Sequence, residues 1–335
     1  MDWEGKSLRV GAMVIACAVV LRLLSSLPAG GLSFLTDQRT MSALLFLSTG
    51  RLVRPAQTVT ENLNFIQTEP TSATEEAPTP AQLPVFAKED VSLVEINSSC
   101  SYQPDVPALL TQPLSWDLTR EAPTVLIVHT HGSESYQPTG EYKESAAYRT
   151  LDMGYNVVSV GDRLVQVLQA GGVGVVHDRT LHDSPSYSDA YVNARSSIED
   201  YMEKYPSIQL VLDIHRDSVA DGSGGQVAFA ADVEGGTSAR LMLVVGSDAS
   251  GLNHPDWPEN MSLAVKLHAQ LEKNDPGICR PISFRSQRYN QDLSPGALIV
   301  EVGSAGNTRQ EALLAAERLG AAILDLCRGT GEASN

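Results

Sequence analysis

The run Val125-Leu-Ile-Val128 leads without a break into His129-Thr-His-Gly-Ser-Glu134. An unbroken β-branched and aliphatic run is the pattern of a strand buried on both faces, as in the interior of a mostly parallel sheet. Ligands of open α/β sheets sit at the carboxyl ends of the strands. This strand therefore delivers imidazoles and a carboxylate to the place where a site is expected, and Gly132 and Ser133 let the chain turn there.

Downstream, strand-like and helix-like patterns alternate, the signature of an α/β fold. We expect a single domain with a mostly parallel twisted sheet flanked by helices. Helices are expected over 156–170, stopped by Gly171-Gly172, over 189–205, stopped by Pro206, and over 260–272 and 309–327. Strands are expected over 173–177, 208–214 and 297–302, while 227–231 and 241–245 read as a pair joined across Gly235-Gly236.

The chain in front of this domain has a different character. Lys6 and Arg9 precede an apolar run from Val10 to Leu24, which reads as an uncleaved membrane anchor with the remainder of the chain outside. Arg22 near its end can snorkel to the far interface. The boundaries expected are an anchor over 1–30, a juxtamembrane segment over 31–65, an acidic Pro/Thr-rich linker over 66–84, an approach segment over 85–120, and the site-bearing domain over 121–330. Between Glu61 and Glu95 seven acidic residues meet one lysine, so the linker is an extended, solvated tether. The formal charge of −16 excludes nucleic acid as a partner, because that footprint would be basic. The four cysteines, Cys17, Cys100, Cys279 and Cys327, have neither CxxC nor zinc-ribbon spacing, and no disulfide framework follows.

Three strands end at groups that zinc chemistry uses: His131 and Glu134 after the first, His215 after 208–214, and Glu301 on the last. A catalytic zinc site takes three protein ligands and leaves a position for water, and a further carboxylate then moves protons between water and leaving group. Glu301 is the candidate for that carboxylate, since a charge inside Leu298-Ile-Val-Glu-Val302 is costly to bury unless it faces a site. It also reads as a structural carboxylate paired with Arg216. His129, two residues before His131, shares its face if the strand continues, and is either a ligand or a supporting partner. Glu144 and Asp152 compete with Glu134 for the metal position.

His129-Thr-His-Gly-Ser-Glu134, Asp213-Ile-His-Arg-Asp217, Asn156-Val-Val-Ser-Val-Gly-Asp162, and Asn290 to Gly303 followed by Asn307-Thr308 resemble the stage II sporulation protein P family over about 124–327. The resemblance implies a zinc-dependent N-acetylmuramoyl-L-alanine amidase that acts on peptidoglycan during engulfment, with peptide cross-links as a further substrate. It implies a membrane-anchored enzyme facing the septal space between mother cell and forespore, with stage II sporulation proteins D and M as partners. Carried onto this chain, the metal set is His131, Glu134 and His215, and Glu301 is the catalytic acid and base. His129, Arg216, Asp217 and Asn290 are expected to support the ligands or touch substrate. Two other readings stand beside this one. A carboxypeptidase-like zinc peptidase would need an arginine clamp from Arg216, Arg285 or Arg288, and an inactive wall-binding tether would bind little zinc.

Overall fold

The computed structural model describes residues 86–114, 116–118, 122–138 and 148–328. The expected anchor and the linker over 66–84 lie outside the described residues. Among the described residues no helix is long and apolar enough to cross a membrane.

Strand β2 (Val125–Val128) is buried at every position, as its uniform aliphatic run requires. Strands β3 (Val175–His177) and β4 (Leu210–Asp217) flank it in parallel, and β9 (Ala297–Ser304) runs parallel on the far side of β4. Beyond β9 the direction reverses. Strand β7 (Leu241–Val245) pairs antiparallel with β9, and β8 (Ile282–Phe284) and β1 (Ile96–Ser98) continue parallel to β7. The seven-stranded order is β1-β8-β7-β9-β4-β2-β3, so the mostly parallel sheet expected from the sequence is present with one antiparallel junction.

The expected pairing of 227–231 with 241–245 does not occur. Strand β5 (Ala230–Val233) instead pairs with β6 (Gly236–Ala239) as a separate ribbon, Val233 facing Gly236 across a tight turn. Glu234 and Gly235 are its two central residues, and Gly235 at φ +100° and Gly236 at φ +131° take the backbone shapes so tight a turn needs, which leaves 236–239 as the partner. Leu241, Leu243 and Val245 are buried in the main core, and that burial draws β7 into the large sheet.

Helices α2 (Val157–Ala170), α4 (Trp257–Asn274) and α5 (Arg309–Arg328) pack over one face, against Ile127, Leu212, Ile214, Val300 and their neighbours. The Asn156 side chain starts α2 by accepting from the Val158 N–H at 3.0 Å. The other face is covered differently. Helix α3 (Ala190–Lys204), which stops just before Pro206, sets Ile198 against Leu126, Val128 and Val211. Past β4, residues Met242, Val244, Ser283 and Ile299 on that same face form the floor of a cavity. The short helix α1 (Val106–Thr111) joins the main core through Leu109 and Leu110 and packs on α4.

The pairing of β4 with β9 begins where Gly296 crosses the start of β4. The Gly296 carbonyl accepts from the Val211 N–H at 2.9 Å, and a Cβ at position 296 would lie 2.0 Å from the Gln209 carbonyl oxygen. Backbone cannot yield as a side-chain tip can. Gly296→Ala should therefore destabilise the domain by roughly 1–3 kcal/mol in denaturant melts, and an unchanged midpoint would contradict this account of the register.

Candidate metal centre

Strands β4 and β9 place His215 and Glu301 directly beside each other as register partners. The third contribution comes from the turn after β2. Glu134 N–H donates to the His131 carbonyl at 3.0 Å, which closes the turn. Asp213 accepts from the Thr130 N–H at 2.8 Å and the Thr130 hydroxyl at 2.6 Å, which ties the turn to β4. Gly132 lets the turn pass close to Leu181, since a Cβ would meet its Cδ2 at 2.8 Å and its Cα at 3.3 Å.

The result is a cluster in which one ligand atom each from His131, Glu134 and His215 lies within 4.8 Å of the others. His131 Nδ1 is 3.7 Å from Glu134 Oε1, and His215 Nδ1 is 3.5 Å from Glu134 Oε2. On its other side His215 Nε2 lies 2.9 Å from Asp213 Oδ1, close in distance though not aligned as a hydrogen bond. Asp213 precedes His215 by two residues on β4, so both face the site.

Burial works against charge on Glu134. The hydrogen bond and charge of His215, with Arg216 and His131, outweigh it and hold that carboxyl down to about 2. Glu301 goes the other way: burial drives it up to about 8, Glu134 and Asp217 add repulsion, and His215 opposes them. For His215 burial alone would lower the pKa, but Asp213 and Glu134 raise it well above the usual histidine range. Glu301 Oε2 is buried and has no hydrogen-bond partner among the described residues. Imidazole and carboxylate donors crowded beside an unpartnered carboxylate oxygen fit a divalent cation with an open position next to Glu301. The cluster opens into the cavity on the bare face of the sheet, about 770 Å³ in volume.

A sequence model of the family described as Stage II sporulation protein P matches residues 54–324. The chain belongs to that family. Stage II sporulation protein P of Bacillus subtilis (strain 168) is 29% identical over 261 residues, which cover 73% of this chain and 60% of the relative. The chain thus spans 60% of the length of that curated relative. Two solved structures with distant likeness are N-acetylmuramoyl-L-alanine amidase AmiC2 of Nostoc punctiforme and the CwlD amidase from Clostridioides difficile in complex with the GerS lipoprotein. The first is 16% identical, covers 61% of this chain and 94% of its own, and has a TM-score of 0.36. The second is 11% identical, covers 60% and 94%, and has a TM-score of 0.37.

In this family member the other residues singled out in the sequence are placed unevenly. His129 is not at the cluster. Strand β2 ends at Val128, so His129 keeps the parity of Ile127 and turns under the sheet toward α2, while the following turn carries His131 to the opposite face. There His129 Nδ1 meets the Ile214 carbonyl at 3.0 Å and Nε2 meets His177 Nε2 at 2.8 Å. Burial and the neighbouring His177 lower its pKa to about 3. Gly161 makes room for the pair, because a Cβ would stand 2.7 Å from both Nε2 atoms. Arg216 is spent on the protein itself: its backbone N–H donates to Glu134 Oε2 at 3.1 Å, and its guanidinium donates to the Ser135 and Tyr148 carbonyls at 2.9 and 2.7 Å. Asp217 lines the cavity and accepts from Arg280 at 2.7 Å. Asn290 acts at one remove, donating to the Tyr191 carbonyl at 2.8 Å. Asp152 is exposed and caps the Gly154 N–H, and Glu144 lies outside the described residues.

Several site residues went unread in the sequence. Tyr187 stacks on His131 at 4.5 Å between ring centroids, Tyr191 meets it edge-on at 5.5 Å, and Arg149 lies over the Tyr187 ring. The four-residue spacing of the two tyrosines is visible as one helical turn, but what they face is not. Asp213 did carry a signal, the period of two before His215.

Asp213→Asn should weaken metal binding about 10–100-fold, read by titration of the metal-free protein, since the partner behind a ligating imidazole fixes its orientation. In metal-free protein Glu301 and His215 both hold protons more tightly folded than unfolded. The stability these two groups contribute should therefore be fully present below the ordinary carboxyl value of 4.5 and be lost as pH rises toward 8. Glu301→Gln should flatten that fall in denaturant melts made in chelator at pH 5 and 8.

Proposed function

We propose that this domain is a zinc-dependent peptidoglycan hydrolase that cuts the amide between N-acetylmuramic acid and L-alanine. The observation that carries the proposal is Glu301, a buried carboxylate with a free oxygen beside a cluster of His131, Glu134 and His215 at the base of an open cavity. The family membership supports the same reading. A zinc ion held by those three residues would supply an acidified water and a polarised carbonyl. Glu301 takes a proton from the attacking water and returns it to the nitrogen as the carbon–nitrogen bond breaks, leaving a free sugar carboxylate and a free alanine amine. Tyr187 and Tyr191 hold the His131 ring, and Asp213 holds His215, so that both imidazoles keep their facing.

The carboxypeptidase reading loses two of its three clamp candidates. Arg216 is engaged by Glu134 and two carbonyls, and Arg288 pairs with Asp292 at 3.2 Å. We further propose the membrane-anchored, septal location and the pairing with stage II sporulation proteins D and M that the family suggests. Peptidoglycan is itself anionic, so a chain of −16 gains nothing from long-range steering, and anchoring supplies the local concentration instead. A chain lacking residues 1–84 should digest purified wall in solution but fail to localise in cells.

Glu301→Gln should keep its zinc and lose about 10²–10⁴-fold in kcat, while His215→Ala should lose both zinc and activity. Muropeptide analysis should yield glycan with intact stem peptides. Full lysis after exhaustive chelation, or release of single C-terminal amino acids, would sink the assignment.

A further inference from the structure

Resting on that reading, we propose that Arg285 and Asn97 form a subsite for a free carboxylate on the stem peptide about three residues from the scissile amide, so that the enzyme selects stems by the charge of their third residue.

The cavity extends away from the metal cluster over the bare face of β9, β7, β8 and β1, and its far end is polar. Asn97 and Ser283 are register partners on β1 and β8, and both line it. Arg285 follows on the same face, exposed, with its Nε donating to Ser283 Oγ at 2.7 Å. That bond bends the side chain back along the strand and leaves the two Nη groups, a planar pair of donors suited to a carboxylate.

What sets Arg285 apart is its lack of a counter-ion. The other arginines lining the cavity are engaged: Arg149 with Asp183 at 2.8 Å, Arg280 with Asp217 at 2.7 Å, and Arg216 with Glu134. Among the described residues no carboxylate lies within ion-pair distance of Arg285, and the Asn97 amide has no hydrogen-bond partner. An unpaired cation in a chain of net charge −16, facing the same cavity as the proposed catalytic group, is a place for an anion that the protein does not itself supply.

Beside it the backbone is held in a costly shape. Tyr289 and Asn290 both sit at positive φ, +51° and +62°. The segment is pinned by Asn290 to the Tyr191 carbonyl and by Gln291 to the Val244 carbonyl and the Gly246 N–H. It sets Tyr289 in the cavity wall, its ring 5.9 Å from that of Tyr191, which meets His131.

The strand order gives the distance. Strand β8 is two positions from β9 and three from β4, about 10–14 Å at about 4.8 Å per strand, and the register sets Arg285 four residues along the strands from Glu301, so the backbone separation is about 16–20 Å. An extended peptide covers about 3.3–3.6 Å per residue, so a chain whose first amide lies between His215 and Glu301 brings its third residue within reach of Arg285 only through a long side chain, which meets the Arg285 side chain where it bends back toward Ser283. A diamino acid at that position carries a side-chain carboxylate if it is diaminopimelate and none if it is lysine.

The test uses the full chain and two C-terminally amidated muramoyl tripeptides, with meso-diaminopimelate or lysine as the third residue. The wild type should favour the diaminopimelate substrate about 10–100-fold in kcat/KM, mainly through KM. Arg285→Gln should bring that substrate down to the lysine level and leave the lysine substrate unchanged, and Arg285→Lys should recover part of the preference. Equal KM for the two in the wild type, or equal loss on both in Arg285→Gln, would overturn the proposal. Calorimetry with the free tripeptide amides reads the subsite without turnover. If neither substrate is cut, the amidase reading fails, and preferential binding of the diaminopimelate peptide that vanishes in Arg285→Gln still supports the subsite, whereas indifferent binding overturns it.

Discussion

The site depends on one pairing: β4 against β9 in parallel, with His215 opposite Glu301. Parallel strands hold a fixed stagger, and a slip of one residue would send every side chain of one strand to the other face. Such a slip would bury His215 among the leucines under α4 and α5 and lift Ile214 into the cavity. The register is defended at both ends. Leu212, Ile214, Val300 and Val302 fill the core on the opposite face, and Gly296 fits against Gln209 where the pairing starts. The chemistry is thus specified by apolar packing on the side of the sheet it never touches.

The antiparallel junction has a second effect. A fully parallel sheet built from strand–helix–strand units carries helices on both faces. Here the strands beyond β9 run backward, and on the α3 side that half carries no covering helix among the described residues, so Met242, Val244, Ser283 and Ile299 floor a cavity instead of packing under a helix. A trough of this kind admits an extended chain, whereas a closed pocket at the strand ends would admit only a small ligand. The reversal therefore joins the cluster at the strand ends to a surface along which an extended chain can lie.

Much of this was legible in the sequence where the residues had company. Long aliphatic runs and capped amphipathic stretches announced β2, β4, β9, α2 and α5 to within a few residues, because their burial leaves a periodic mark. Strands β1 and β8 have three residues each and leave none. The cluster was readable because His131, Glu134, His215 and Glu301 stand at strand ends or interrupt an apolar run. His129 was ambiguous for a definite reason: parity along a strand predicts a face only while the strand lasts, and β2 stops one residue earlier. The tyrosines around His131 gave no sign, and Arg285 stood in the sequence only as one of three arginines able to clamp a carboxylate, since what sets each apart is what other elements bring to it.

Glu134 and Glu301 show how one small volume sorts two similar carboxyls. Both are buried, and burial raises both. Glu134 is surrounded by partners that hold a charge: His215, His131 and Arg216, whose own position is locked by the Ser135 and Tyr148 carbonyls. Glu301 is raised first by burial, and the attraction of His215 and Arg216 does not overcome that together with the repulsion from Glu134 and Asp217. Pairs whose environments push their affinities for protons apart divide acid–base work in this way. Glu134 is suited to remain an anion and grip a cation, and Glu301 to gain and lose a proton near neutral pH. Exchanging the two roles would require moving Arg216, and with it the whole turn that β2 delivers.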